Sequence, residues 1–138
     1  VLLALPMAAQ ADSLVLNDLK AQNGVQLTAD ELKQLMPNAK VVSQYVEGGT
    51  STRRWKNGPD GKFVASSDVG RSVTAKAGGV TGQGTWHVAE NGTYCVTIDW
   101  SRRSENWCRY IFKVGEKYYG VKTINDGTTV AHQFEFSK

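Results

Sequence analysis

Regular punctuation restricts this chain's fold more than any other feature of its sequence. From Ala39 onward, short runs rich in Val, Thr, Tyr, Phe and Trp are cut by Gly48-Gly49, Asn57-Gly58-Pro59-Asp60-Gly61, Asp68 to Gly70, Gly78-Gly79, Asn91-Gly92, Ser101 to Ser104, Gly115-Glu116 and Asn125-Asp126-Gly127. The breaks recur about every ten to twelve residues, the spacing of strands joined by tight turns. Short connections force successive strands to run antiparallel, and about eight or nine in a row leave a long unpaired edge unless the sheet closes on itself. The expected fold is therefore mainly β: a small up-and-down antiparallel β-barrel over residues 39–138, with a β-sandwich as the architectural alternative.

Residues 12–38 read differently. Thr28-Ala29-Asp30-Glu31 has the form of a capping box, in which the Thr28 side chain accepts from the Glu31 backbone N–H and the Glu31 carboxylate reaches back. Leu27 stands just before the cap, Leu32, Leu35 and Met36 follow at helical spacing, and Pro37 biases Met36 away from the α region. This predicts a short N-terminal helix near residues 28–36. Leu14, Leu16 and Leu19 fit a short strand or a frayed helix equally well.

The opening stretch, residues 1–11, is apolar and ends in Ala9-Gln10-Ala11, the small-x-small pattern accepted by signal peptidase before Asp12. It reads as the remnant of a secretory signal peptide; the alternative is an apolar strand or helix packed on the body. Export places the protein in a bacterial periplasm or outside the cell, where disulfides form. Without an apolar run near 18 residues, no membrane span is expected. The net charge of +3 is scattered rather than blocked, and export makes nucleic acid an unexpected partner. An anionic glycan, a lipid headgroup or an acidic protein suits the small basic groups better.

Both cysteines lie in "TYCVTIDWSRRSENWCRY", residues 93–110. Tyr94, Val96, Ile98 and Trp100 alternate with Cys95, Thr97 and Asp99, so this run is a strand with one apolar face. A hairpin turning between Ser101 and Arg102 sets Cys95 directly opposite Cys108, within reach of a disulfide. Such a bridge pins the register and closes a loop worth about 3 kcal/mol in the chain-entropy model. No C-x-x-C redox motif is present, and His87 and His132 stand at no recognised metal-ligand spacing.

The sequence selects no catalytic constellation and no cofactor. "AGGVTGQGTW", residues 77–86, lacks the Gly-Lys-Ser/Thr ending of a phosphate loop and reads as a turn followed by a curved strand. No Ser sits in a nucleophile elbow. Asp60, Asp68, Glu90, Asp99, Glu105, Glu116 and Asp126 fall at or near turns, where carboxylates serve local hydrogen bonds. The unusual feature is the company of Arg53, Arg54 and Trp55, and of Trp100, Arg103, Trp107 and Arg109, which on an outer face would form a stacking and cation–π surface. The leading expectation is a non-catalytic exported binding protein that recognises a protein or glycan through such a face or its loops. The alternative is a lipocalin-like carrier, in which inward-facing Ala65, Ser67, Ala75 and Gly84 leave room for a small apolar or amphipathic ligand. A hydrolytic enzyme is the third reading.

The run "GTWHVAENGTYCVTIDW", then "WCRYIFKVGEKYYGVK" and "HQFEFSK", resembles a family of small exported proteobacterial proteins of unknown function, over about residues 28–137 when "LTADELKQLMPNAKVV" is included. Trp86, Cys95 and Cys108 are its most specific elements. The resemblance implies an exported β-rich domain with one disulfide and carries no activity. Gly84-Thr85-Trp86 is also similar to the G-x-W motif of lipocalins, although there it lies on the first barrel strand and here it falls in mid-domain.

Overall fold

The computed structural model describes residues 14–44, 51–68 and 80–138. The signal-like opening, Ala75, and the Gly48-Gly49 and Gly78-Gly79 breaks lie outside them. In chain order the elements are α1 (Leu16–Ala21), β1 (Val25–Gln26), α2 (Ala29–Leu35), β2 (Lys40–Gln44), β3 (Thr52–Lys56), β4 (Lys62–Ser67), β5 (Val80–Val88), β6 (Thr93–Trp100), β7 (Ser104–Val114), β8 (Lys117–Val121) and β9 (Ala131–Ser137).

Strands β2 to β9 pair with their sequence neighbours, and β2 pairs with β9, closing an eight-stranded antiparallel barrel. The barrel, not the sandwich, is the architecture. Closure leaves β2 hydrogen-bonded on both sides, which removes the open edge that short connections would otherwise create. The ninth strand, β1, extends the sheet outside the closed ring by pairing Val25 with Lys113 and Gln26 with Phe112 of β7.

The turns behave as their residues require. Gly61, Gly92 and Gly115 adopt φ of 84°, 85° and 60°, the left-handed region that costs a glycine nothing. Around Asn91-Gly92 the chain reverses from β5 into β6, with Gly92 N–H donating to the Ala89 carbonyl.

The helix near residues 28–36 is present as α2, with both halves of its capping box: Glu31 N–H donates to Thr28 Oγ1 at 3.1 Å and Thr28 N–H to Glu31 Oε1 at 2.8 Å. The stop differs from the expectation. Met36 stays helical at φ −77°, ψ −36°, and its N–H still reaches the Leu32 carbonyl. Pro37 ends the helix by lacking the next N–H, and Asn38 then turns the chain at φ 66°. The undecided stretch before it holds both a helix and a strand, α1 and β1.

Two cores result. Inside the barrel lie Val41, Trp55, Phe63, Tyr94, Val96, Ile98, Trp107, Ile111, Phe134 and Phe136, with Leu27, Leu32 and Met36 contributed by α2 and its lead-in. A smaller cluster on the outside joins Leu16 and Leu19 of α1 to Phe112, Tyr119, Val121 and Ala131, so α1 covers the outer face of β7–β9.

Candidate functional site

The hairpin from Tyr94 to Arg109 has the expected register: Cys95 faces Cys108, Val96 faces Trp107 and Asp99 faces Ser104. The disulfide is formed, with Cα atoms 4.0 Å apart, on the outer face of the barrel. On the inner face the alternation places Glu105, Trp107, Arg109 and Ile111 along β7 and Tyr94, Val96, Ile98 and Trp100 along β6.

This inward set corrects the expected outer surface. Arg53, Trp55, Trp107 and Arg109 are all buried inside the barrel, with Arg53 1% exposed. The physical reason is a partner distant in sequence. Arg53 makes a bidentate ion pair with Glu105, Nη2 lying 2.7 Å from Oε1 and Nη1 bonding Oε2. Trp100 Nε1 donates to Glu105 Oε2 at 2.7 Å and Trp107 Nε1 to Oε1 at 2.8 Å. The Arg53 guanidinium also lies 5.9 Å from the centre of the Trp100 ring, and that of Arg109 lies 5.7 Å from Trp107. A buried guanidinium is tolerated when its charge is matched and its donors are used.

Glu105, read from sequence as a turn carboxylate, is therefore the centre of this cluster. Burial pushes its carboxyl upward, but the Arg53 hydrogen bonds, the Trp107 indole, the Arg53 charge and the Trp100 indole outweigh it and hold the pKa below the usual 4.5. With each oxygen occupied by one guanidinium nitrogen and one indole, this carboxylate is committed to internal bonds.

A second polar cluster sits at the other end of the interior, beneath α2. Tyr94 OH donates to Asn57 Oδ1 at 2.7 Å, Trp55 Nε1 lies 3.1 Å from both Asn57 Oδ1 and Tyr94 Oη, and Asn57 Nδ2 donates to the Met36 carbonyl at 3.1 Å. Burial raises the Tyr94 phenol far above its usual range, so it remains neutral.

Between these clusters the described inward residues pack ring against ring. Ala65, Ser67 and Gly84 do face inward and are buried, but the volume their small size releases is taken by rings. A Cβ on Gly84 would fall 2.1 Å from the Phe63 ring, and Phe63 stacks on Trp55 at 5.0 Å.

Among the described residues, accessible side chains gather at the two ends of the barrel and on its outer face. At the β6–β7 tip Arg102 and Arg103 are exposed and Trp100 is half-buried. Arg54 is exposed on the outer face, beside Val42, Thr52, Gln133 and Glu135. At the opposite end a shallow groove runs between the end of α2, the 58–61 turn and the end of β5, with Trp86 on its wall. Sequence reading did not assemble that groove, because its segments are far apart along the chain. Among the described residues no group of three or more His, Cys, Asp or Glu is placed to hold a metal, and no helix is long and apolar enough to cross a membrane.

Comparison with curated proteins and with solved structures returns no match. Residues 3–108, which include β2 to β6, the disulfide and Trp86, match the model of a family described as protein of unknown function (DUF995), and the chain belongs to that family.

Proposed function

We propose that this is an exported, non-catalytic binding protein that recognises a macromolecule, an acidic protein or an anionic glycan, through the β6–β7 end of its barrel. The observation that carries this reading is a hairpin immobilised on both faces: the Cys95–Cys108 disulfide outside, and Glu105 holding Arg53, Trp100 and Trp107 inside. Its tip presents Arg102, Arg103 and the accessible part of Trp100. A rigid tip loses little conformational freedom on binding, and its paired positive charges steer acidic partners.

The rings packed among the described inward residues weigh against the carrier alternative, since a ligand there would have to displace them. The commitment of Glu105 to internal bonds weighs against its use as a general base or nucleophile. A disulfide suits an oxidising compartment, periplasmic or extracellular.

Native mass spectrometry of protein prepared from its own cell envelope without detergent should give a bare chain, and the immobilised protein should retain a partner that the Arg102→Glu/Arg103→Glu variant releases. A small adduct lost on denaturation would support the carrier instead. Equal retention by the double variant would move recognition away from this hairpin.

A further inference from the structure

We propose that the groove at the opposite end of the barrel is a separate binding site for a neutral hexopyranose chain, stacked on Trp86. This site does not rest on the reading of the β6–β7 tip. The groove is shallow and open, with a volume of about 420 Å³, and is lined by Trp86, Val88, Pro37 and Pro59 together with Lys33, Asp60 and His87. Apolar side chains with a few polar ones among them are the composition of a ligand site, and an open groove of this kind suits a chain that lies along it.

Three observations select the ligand. The Trp86 indole is held before anything binds: Nε1 donates to the Gly58 carbonyl at 2.8 Å, its backbone N–H donates to Gly61 at 3.0 Å, and its ring packs against Tyr94 at 6.4 Å. With its one donor consumed, Trp86 offers a ligand only ring surface. A hexopyranose with equatorial hydroxyls presents a flat C–H face to such a surface and directs its hydroxyls sideways to polar margins. A proline-rich peptide would instead want the indole N–H for its carbonyls.

The margin is balanced in charge, Lys33 against Asp60, which favours a neutral ligand over an anion. Beyond His87 the outer face of β5–β7 continues as rows of short polar side chains: Thr85 beside Thr97 beside Asn106, and Gln83 beside Asp99 beside Ser104. Thr85, Asn106, Gln83, Asp99 and Ser104 are exposed; Thr97 donates to Asn106 and Ser104 to Asp99 within these rows, so a chain leaving the groove meets the hydroxyl of Thr85, the amides of Gln83 and Asn106 and the carboxylate of Asp99.

The test is a titration of 15N-labelled protein with N-acetylglucosamine tetramer and with cellotetraose, followed by two-dimensional NMR. Saturable shifts are expected at the Trp86 indole N–H and at the amides of Gly61, Thr85 and His87, while the indoles of Trp55, Trp100 and Trp107 stay in place. The Lys33→Ala/His87→Ala variant, whose positions are both exposed, should keep the parent's circular dichroism and bind about threefold or more weakly, as loss of one or two hydrogen bonds requires. Trp86→Phe should weaken binding further. Arg102→Glu/Arg103→Glu should bind both sugars as the parent does, which separates this site from the tip. Absence of shifts with both sugars would overturn the proposal, as would shifts produced by a proline-rich peptide in their place or confined to the β6–β7 tip.

Discussion

Exchanging Glu105 for Gln isolates the cost of an unmatched charge within the barrel. Both side chains of the Arg53–Glu105 pair are 1% exposed, and removing one partner of such a pair costs about 3–5 kcal/mol, because the other charge is left desolvated. Gln keeps one carbonyl oxygen for a guanidinium N–H or an indole, so the lower end applies. The expected loss is about 3 kcal/mol, roughly a hundredfold in the folding equilibrium. Urea unfolding at neutral pH, with the disulfide intact, reads it directly. The cycle with Arg53→Met adds a second check: the double variant should lose less than the two single variants together, with a coupling of about 1–3 kcal/mol. The pH dependence follows from the depressed carboxyl. Its contribution is fully present above the ordinary value of 4.5 and is lost as pH falls through the lower folded value. The stability difference between parent and Glu105→Gln should therefore be flat near neutrality and shrink below about pH 4.5. A loss within about 0.5 kcal/mol of the parent, with no coupling to Arg53, would show the pair to be hydrated and would refute the reasoning.

Three further outcomes are expected. The Cys95→Ser/Cys108→Ser variant should unfold about 3 kcal/mol more easily in urea, and the native parent should resist thiol labelling while showing an intact mass two hydrogens below the reduced chain. Gly84→Ala should cost about 1–3 kcal/mol by overpacking against Phe63, and Phe63→Leu in the same chain should recover part of the loss in thermal unfolding. Tyr94→Phe, which leaves Asn57 and Trp55 with one fewer partner each, should cost about 1–2 kcal/mol by urea titration.

Features set by neighbours in sequence were legible, and features set by distant partners were not. The capping box of Thr28 and Glu31 is a contact within one turn, and the Cys95–Cys108 pairing follows from one hairpin. The regular turn residues were enough to indicate a closed barrel. The company of Arg53, Arg54 and Trp55 suggests an outer basic-aromatic surface, whereas the burial of Arg53 depends on Glu105, 52 residues away. Alternation alone left the inner and outer sets of β3 interchangeable, and the ion pair decides that Arg53 points in and Arg54 out. The same limit hid the groove beside Trp86, whose wall is assembled from α2, the 58–61 turn and β5. Of the small residues whose inward placement the carrier reading requires, Ala65, Ser67 and Gly84 are buried, and the space beside Gly84 is taken by Phe63 from the neighbouring strand β4.

Joining β2 to β9 also imposes an order on folding. Each of the hairpins β5–β6, β6–β7 and β7–β8 can form from a short stretch of chain, and the cysteines can meet within one of them. Lys40, by contrast, pairs with Ser137 and Val41 with Phe136, so the seam waits for nearly the whole barrel sequence. Such distant pairings make closure the slow step. Until that seam forms, β2 has β3 as its one neighbour and its other edge stays open, while the disulfide-closed middle hairpin is already complete.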